Sequence, residues 1–218
     1  KEESADIVAL QEVDFNSKRT WHINELEYIA KKADYPFAAF VLTWNKNYIP
    51  YPYNSPGQFY GQMLSGQAIM SKFEILENSS IPLPQPSENF FFYNNFYLER
   101  HIQRAKIRLS TSLFINFYNN HLEAFNNNNR MKQAKILCDY LTRDKEPKIV
   151  AGDLNALPPE ALQKMNFADE PGADYTGDRT IETLNKVDSL TEIISPEVYL
   201  KEEKSTLSFP ADRPTRRL

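Results

Sequence analysis

Short apolar runs that end in polar residues recur along the chain, and they predict buried β-strands. In the first run, Ile7-Val8-Ala9-Leu10 is followed by Gln11-Glu12. A continuous apolar run of this length is typical of a strand that is covered on both faces. By the same pattern, strands are predicted at residues 6–10, 35–43, 66–71, 104–109, 113–122 and 148–151. A Ser/Thr turn joins the strands at 104–109 and 113–122, which favours an antiparallel hairpin.

Helical spacing of apolar residues predicts two longer helices. One contains Ile23, Leu26, Ile29, Ala30 and Ala33, and the other begins near Arg130 and places Met131, Ala134, Cys138 and Leu141 on one face. Shorter helices are predicted from Pro158 onward and at residues 188–194. Residues 44–65 are predicted to be irregular, and residues 90–97 form an aromatic cluster. Strands that alternate with helices predict a mixed, layered α/β domain.

The composition narrows the possible classes of protein. With 218 residues, of which 41 % are hydrophobic, the chain suits one domain with a packed core. A net charge of −4 argues against a protein that holds nucleic acid mainly through counterion release. The single cysteine, Cys138, excludes an internal disulfide framework and a cysteine-based zinc site, and its helical setting predicts a buried thiol. No apolar run reaches the ~18 residues of a membrane helix, and the start of the chain does not resemble a signal peptide.

Polar side chains follow three of the predicted strands at the point where each strand ends. Glu12 closes the first, His121 closes the strand at 113–122, and Asp153 with Asn155 follow the strand at 148–151. Carboxylate and amide oxygens suit a hard divalent cation, and the spacing of Asp153 and Asn155 puts both on one side of an extended chain. Taken singly, each residue could have a structural role instead. Glu12 could be a solvated strand end, and Asp153 and Asn155 could stabilise a turn. His121 could be a structural histidine whose hydrogen bonds are satisfied.

Five segments in order resemble the motifs of the endonuclease/exonuclease/phosphatase superfamily. They are Ile7-Val8-Ala9-Leu10-Gln11-Glu12-Val13-Asp14, Gly66-Gln67-Ala68-Ile69-Met70-Ser71, Asn119-Asn120-His121-Leu122, Arg130-Met131-Lys132-Gln133 and Ile149-Val150-Ala151-Gly152-Asp153-Leu154-Asn155. The resemblance covers nearly the whole chain. It implies a two-sheet β-sandwich flanked by helices, four layers in all, in one domain over residues 1–218.

The resemblance also implies a chemistry, the hydrolysis of a phosphate ester by a water that attacks in line. Mg²⁺ or Mn²⁺ would be the cofactor, with Glu12 and Asp153 as metal ligands. Three residues would be catalytic. Asp153 would position the water, and Asn155 would hold the water or the phosphate. His121 would donate a hydrogen bond to a phosphoryl oxygen. Candidate substrate- or phosphate-binding residues are Arg104, Arg130 and Asn45.

The family pattern extends beyond this sequence at both ends. Its first strand, with an active-site asparagine, and its final Asp and Ser-Asp-His segments have no counterpart between Lys1 and Leu218. The 218 residues alone are therefore expected to have little or no turnover. They are also expected to be poorly soluble or only marginally stable, because the absent strands would expose edges or apolar faces.

The substrate is less defined than the reaction. Arg100, Arg104, Lys106 and Arg108 fall at alternate positions, and Arg213, Arg216 and Arg217 form a second basic cluster. Two interpretations stay open for the first group: a solvated strand face, or a phosphate-binding stripe that holds a nucleic-acid backbone or a phospholipid headgroup. The aromatic residues of 44–60 and 90–97 can stack on bases, enter lipid, or form a lid packed on the core.

Two other classes of protein are compatible with the sequence. One is a catalytically inactive relative, or fragment, that binds phosphorylated ligands; the retention of Glu12, His121, Asp153 and Asn155 argues against it. The other is an interaction domain with coincidental motifs. No feature predicts an obligate protein partner.

Overall fold

Seven strands form two β-sheets in the computed structural model, which describes residues 5–52, 56–88, 94–210 and 212–218. The chain divides into two units, Lys1–His121 with Glu146–Gly152, and Leu122–Lys145 with Asp153–Leu218. Both sheets lie in the first unit, except for the final residue of the last strand. The organisation of residues 1–218 as a single domain stays a prediction.

The first sheet contains β1 (Ile7–Asp14), β2 (Phe37–Ile49) and β3 (Gly61–Ser71). Its order is β1-β3-β2, and β3 is antiparallel to both neighbours. Helix α1 (Glu25–Ala33) begins after Asn24, whose side chain accepts a hydrogen bond from the Glu27 amide. Leu26 of α1 packs in a cluster with Val13, Phe15, Ala68 and Met70, so the helix covers one face of this sheet.

The second sheet contains β4 (Glu74–Pro82), β5 (His101–Arg108), β6 (Phe114–His121) and β7 (Lys148–Asp153), in that order. Ile69 of the first sheet packs with Ala105, Ile107, Ile115 and Phe117 of the second, and this cluster is the core between the two sheets. The predicted two-sheet sandwich is thereby confirmed. Its four layers stay a prediction.

Two regions of the first unit differ from the expectation. The irregular stretch predicted at 44–65 was wrong at both ends, because β2 continues to Ile49 and β3 begins at Gly61. Between them lies a short 3₁₀ turn, Pro56–Gln58, and residues 53–55 are outside the described residues. Strand β4 was not predicted, since most of its residues are exposed and give no apolar pattern.

The second unit contains three described helices, α2 (Asn127–Arg143), α3 (Thr180–Leu184) and α4 (Pro196–Thr206). The helix expected from Pro158 is a turn, and residues 188–194 form turns and bends, so both short helices were wrongly placed. The core cluster of this unit contains Leu157, Ala161, Phe167, Tyr175 and Tyr199. Cys138 is half-buried, and its Sγ donates to the carbonyl of Thr183 at 3.4 Å, as befits a structural thiol. Among the described residues, no helix is both long and apolar enough to cross a bilayer.

Candidate active site

Glu12 occupies a β-bulge near the end of β1. The register of β1 against β3 shifts between Leu10 and Val13, and Glu12 has a φ of 55°. A bulge bends a strand and redirects a side chain, and a non-glycine residue in the left-handed region is uncommon and costs free energy. The Glu12 side chain is 57 % exposed. The bulge therefore presents a carboxylate to solvent from the end of a core strand.

The residue that follows the bulge fixes the strand end. Asp14 is fully buried, and its carboxylate accepts two hydrogen bonds from Arg19, at 2.7 and 2.9 Å. Its amide donates to the Glu25 carboxylate at the start of α1, at 2.8 Å. A paired, buried carboxylate holds the chain tightly, so the backbone next to Glu12 has little freedom.

His121 ends β6 and faces the Glu12 carboxylate. Its Nε2 lies 3.9 Å from Glu12 Oε1, and the residue is 5 % exposed. Burial, together with the nearby charge of Arg100, holds the pKa of His121 well below its ordinary value, so the imidazole is neutral at pH 7. A neutral ring forms no ion pair, and 3.9 Å is too long for a hydrogen bond. A neutral His121 ring carries one N–H donor and one acceptor nitrogen, and it lies beside an exposed carboxylate.

A buried polar network supports both residues. The Asn119 side chain donates to the carbonyls of Leu10 and Ala68 at 3.1 and 3.0 Å, and accepts from Gln11 at 2.6 Å. It also donates to Gln103 Oε1 at 3.1 Å. These bonds tie β6 to β1 two residues before His121 and next to Glu12. Such a satisfied network rigidifies its surroundings, which keeps the two side chains in register.

Arg100 lies immediately before β5 and is 4 % exposed. Its carbonyl accepts from the Leu83 amide at 2.8 Å, which anchors the backbone. In its guanidinium group, Nε and Nη1 are buried and have no hydrogen-bond partner among the described residues. The sequence pattern grouped Arg100 with a basic stripe and gave no sign of this burial.

The motif at residues 152–155 begins with a glycine that the fold requires. Gly152 has a φ of +124°, and a Cβ there would lie 2.0 Å from the carbonyl oxygen of Asn120. In the second unit, Asp153 Oδ1 accepts from the Asn155 amide at 2.8 Å, and Asn155 has a φ of 49°. The Asn155 side chain donates to the Leu122 carbonyl at 2.9 Å. Both polar side chains are therefore held at the end of β7, where Asp153 closes the strand and Asn155 follows it.

A sequence model of one protein family covers most of this chain. The model of the Endonuclease/Exonuclease/phosphatase family matches residues 1–164. The chain belongs to this family. No curated protein matches it.

Solved structures with this family's fold are similar over about 70 % of the chain. An endonuclease/exonuclease/phosphatase from Beutenbergia cavernae is 22 % identical with a TM-score of 0.55, over 74 % of this chain and 41 % of that one. The human Nocturnin catalytic domain is 19 % identical with a TM-score of 0.47, over 71 % of this chain and 53 % of that one. A mannosyl-6-phosphatase from Bacteroides thetaiotaomicron is 17 % identical with a TM-score of 0.45, over 70 % and 52 %. The chain thus spans about half the length of these structures or less.

Within this family fold, the arginines of β5 lie against an acidic neighbour. Arg104 Nη1 lies 3.6 Å from Glu77 and Arg108 Nη1 lies 3.0 Å from Glu74, and both carboxylates belong to β4. Lys106 lies over the ring of Phe114, with Nζ 5.4 Å from its centroid. These contacts favour the solvated strand face over the phosphate-binding stripe. A phosphate role for Arg104 stays a prediction.

Two other candidate residues occupy different surroundings. Arg130 is fully buried in the second unit; its Nε donates to Asp178 at 2.7 Å and its Nη1 to the carbonyl of Glu123 at 2.6 Å. That environment favours a structural role over phosphate binding. Asn45 is exposed in β2, opposite Leu64, and not in the loop that the sequence pattern indicated.

The aromatic residues of 44–60 form a packed cluster. Trp44 Nε1 donates to the Phe96 carbonyl at 3.0 Å, and the ring of Tyr60 packs edge-on against Trp44 and Tyr51. This favours the packed lid for that segment. Of the second aromatic segment, residues 90–93 are outside the described residues.

The donor chemistry of Glu12 fits a magnesium or manganese ion. Both cations prefer oxygen ligands, and Mg²⁺ is usually held by one or two carboxylates, with waters and substrate phosphates completing the shell. The exposed Glu12 carboxylate is such a donor. No group of three or more His, Cys, Asp or Glu side chains that could hold a metal occurs among the described residues.

Proposed function

We propose that the protein is a metal-dependent phosphoesterase that hydrolyses phosphate esters with Mg²⁺ or Mn²⁺. The observation that carries the proposal is the bulge that presents the Glu12 carboxylate to solvent, 3.9 Å from the neutral ring of His121, in a chain of this family. A strained backbone at an acidic residue is the kind of feature that functional sites retain.

Each motif residue has a role that its chemistry allows. Glu12 and Asp153 are the proposed metal ligands. A bound divalent cation supplies positive charge that neutralises phosphoryl oxygens and the developing charge on the leaving oxygen. His121, which is neutral, donates a hydrogen bond to a nonbridging phosphoryl oxygen and stabilises charge in the transition state.

Asp153 and Asn155 act on the attacking water in this proposal. The Asp153 carboxylate accepts a proton of the water and orients it for in-line attack. One N–H of the Asn155 amide is committed to the Leu122 carbonyl. The remaining amide atoms of Asn155 can hold the water, which makes a water contact a more natural role for Asn155 than a phosphate contact.

The ester is proposed only as a class, a phosphodiester of nucleic acid or of a phospholipid headgroup. Duplex DNA, RNA, sphingomyelin and phosphoinositides would be assayed with the full-length protein, with and without Mg²⁺. Hydrolysis of one class in the presence of Mg²⁺, and its loss with a chelator, supports the proposal and names the substrate.

Replacing Glu12 tests the site itself. Glu12→Gln keeps the side-chain shape but removes the charge, so metal-dependent hydrolysis should fall by roughly a hundredfold or more. Glu27→Gln, on the exposed face of α1, is the matched control and should retain full activity. Wild-type phosphate binding without hydrolysis under any metal condition would instead favour an inactive relative that binds phosphorylated ligands. Unchanged hydrolysis in Glu12→Gln would contradict the assignment of Glu12.

A further inference from the structure

A cluster of four polar side chains lies at the start of β5, and none of them belongs to the sequence motifs. The Oγ of Ser80 lies 2.7 Å from Nδ1 of His101, and Nε2 of the same ring lies 3.7 Å from Oε2 of Glu99. On the other side of that carboxylate, Lys46 Nζ donates to Oε1 at 3.4 Å. We call Ser80, His101, Glu99 and Lys46 the polar rim. It brings a hydroxyl, an imidazole, a carboxylate and an ammonium group together.

The register of the second sheet places the polar rim next to the candidate site. β5 begins at His101 and β6 ends at His121, and the antiparallel pairing of Gln103 with Asn119 makes these two histidines neighbours across the sheet. The Asn119 side chain donates to Gln103 Oε1, so paired residues point to the same face here, and the two histidines, each two positions further along, return to it. Opposite residues of an antiparallel pair have Cβ atoms about 5 Å apart. Since His121 faces the Glu12 carboxylate at 3.9 Å, the polar rim borders the candidate site.

The carboxylate of Glu99 is accessible and loosely held. Its side chain is 47 % exposed, whereas that of His101 is 13 % exposed. A nearby carboxylate favours the imidazole tautomer with its proton on Nε2, and the Ser80 hydroxyl then donates to Nδ1. At 3.7 Å, the Nε2–H group and the Glu99 oxygen are further apart than a hydrogen bond allows. A donor and an acceptor thus lie side by side without satisfying each other.

We infer that the polar rim binds hydroxyl groups of the alcohol part of the substrate, and that this alcohol is a polyhydroxylated ring, an inositol or a sugar. The inference rests on the proposed function and defines the alcohol of its ester. A hydroxyl accepts one hydrogen bond while it donates another. One hydroxyl can therefore accept from His101 and donate to Glu99. A neighbouring hydroxyl can accept from Lys46 and donate to the second carboxylate oxygen.

Other alcohols fit these surroundings less well. A quaternary ammonium group such as choline needs a carboxylate or aromatic face without a competing cation, and Lys46 already lies at Glu99. A nucleobase needs an open aromatic face for stacking. In the aromatic cluster of residues 44–60, Arg19 lies over the ring of Tyr60, at 5.5 Å, and two further rings pack against it. The polar rim therefore favours hydroxyl groups over a base or a choline.

The experiment compares phosphate esters that differ in the alcohol, with the full-length protein and Mg²⁺. kcat/KM is measured for inositol phosphate, glucose phosphate, phosphatidylinositol vesicles, a deoxydinucleotide and phosphatidylcholine vesicles, each relative to the p-nitrophenyl mono- or diester. The highest ratio is expected for an ester of a polyhydroxylated ring, and the soluble and vesicle substrates separate a free alcohol from a lipid headgroup. A higher ratio for the deoxydinucleotide or the choline lipid would overturn the inference.

Replacing single residues tests the polar rim itself. Glu99→Gln keeps the shape of the side chain and exchanges an acceptor oxygen for a donor, so the ratio for the preferred ester should fall roughly ten- to hundredfold, mainly through KM. Ser80→Ala removes the group that fixes the His101 tautomer and should lower the ratio roughly threefold to tenfold, and Ser80→Thr should restore it. Glu74→Gln is the matched control, because Glu74 is also 47 % exposed and pairs with Arg108 at the other end of β4; the ratio should not change.

An unchanged ratio in Glu99→Gln, or an equal fall in Glu74→Gln, would overturn the inference. If Glu99→Gln fails to fold, the ratio in Ser80→Ala decides. Mg²⁺-dependent hydrolysis without preference for a polyhydroxylated ring leaves the proposed function standing and rejects the inference. If no ester is hydrolysed, the proposed function fails, and calorimetry with inositol phosphate and glucose phosphate decides the inference: an affinity that Glu99→Gln lowers about tenfold supports it, and equal affinities reject it.

Discussion

Arg100 in the first unit and Arg130 in the second are both buried, yet their surroundings are opposite. Arg130 donates through Nε to Asp178 at 2.7 Å and through Nη1 to two carbonyls, of Glu123 and Ala124, at 2.6 and 2.9 Å. Its guanidinium also lies over the ring of Tyr175, at 5.5 Å. Two of the three guanidinium nitrogens of Arg100 have no such partner among the described residues.

The difference shows that burial alone does not reveal what an arginine does. A buried guanidinium with a carboxylate and carbonyl acceptors links the elements around it, because every donor is used inside the fold. A buried guanidinium without acceptors costs stability, because the loss of its hydration is not compensated by hydrogen bonds. Arg216 lies between the two cases: it pairs with Asp169 at 2.9 Å and Glu170 at 2.8 Å and packs between Phe167 and Phe209, while its buried Nε has no hydrogen-bond partner among the described residues.

The largest expected effect concerns the paired arginine. Arg130→Met should lower the free energy of unfolding by about 3–5 kcal/mol, because it leaves the buried Asp178 carboxylate without its partner. Urea denaturation followed by circular dichroism measures this loss. The double variant Arg130→Met with Asp178→Asn should recover part of it, since no buried charge then remains unpaired. A loss below 1 kcal/mol in Arg130→Met would remove the contrast with Arg100.

The second prediction concerns the polar network beneath the candidate site. Asn119→Leu has a similar volume but leaves Gln11, Gln103 and the carbonyls of Leu10 and Ala68 without a hydrogen-bond partner that they now share. Unsatisfied buried groups cost about 1–3 kcal/mol each, and relaxation reduces the sum, so a total loss of about 2–4 kcal/mol is expected.

The same variant also tests the link between the network and the site. Because Asn119 holds Leu10 at the start of the Glu12 bulge, hydrolysis in Asn119→Leu should fall even at temperatures where the protein stays folded. Phe40→Leu, at a half-exposed position of β2, changes an apolar group only and should retain activity. Full activity in Asn119→Leu would separate the network from catalysis.

Most strands could be predicted from the sequence because one face or both faces are buried. The runs at Ile7–Leu10 and Lys148–Ala151 lie in β1 and β7, and α2 follows the predicted spacing with Ala134 and Leu141 buried. Strand β4 gives no such signal, because its hydrogen bonds to β5 and its surface ion pairs stabilise it with little apolar burial. Helix α4 was missed for a related reason: Tyr199 is its only buried residue among those described.

Because β4 was not predicted, the two interpretations of the basic residues at alternate positions could not be distinguished from the sequence. Without the strand that carries Glu74 and Glu77, the sequence places Arg100, Arg104 and Arg108 in equivalent positions. The structure distinguishes them, because β4 supplies acids to the last two and none to Arg100. The positions of Glu12 and His121 at strand ends were predictable from the pattern. The bulge at Glu12 was not, because a register shift leaves no mark in composition or periodicity.

The smallest expected effect is the free energy stored in that bulge. A left-handed conformation costs a non-glycine residue roughly 1–2 kcal/mol, and a glycine loses about 0.5–1 kcal/mol more in backbone entropy on folding. Glu12→Gly should therefore be more stable than Glu12→Gln by about 0.5–1 kcal/mol in urea denaturation. Both variants lack the carboxylate, so both should lose metal-dependent hydrolysis and their difference isolates the backbone. A Glu12→Gly variant no more stable than Glu12→Gln would mean that the bulge is unstrained.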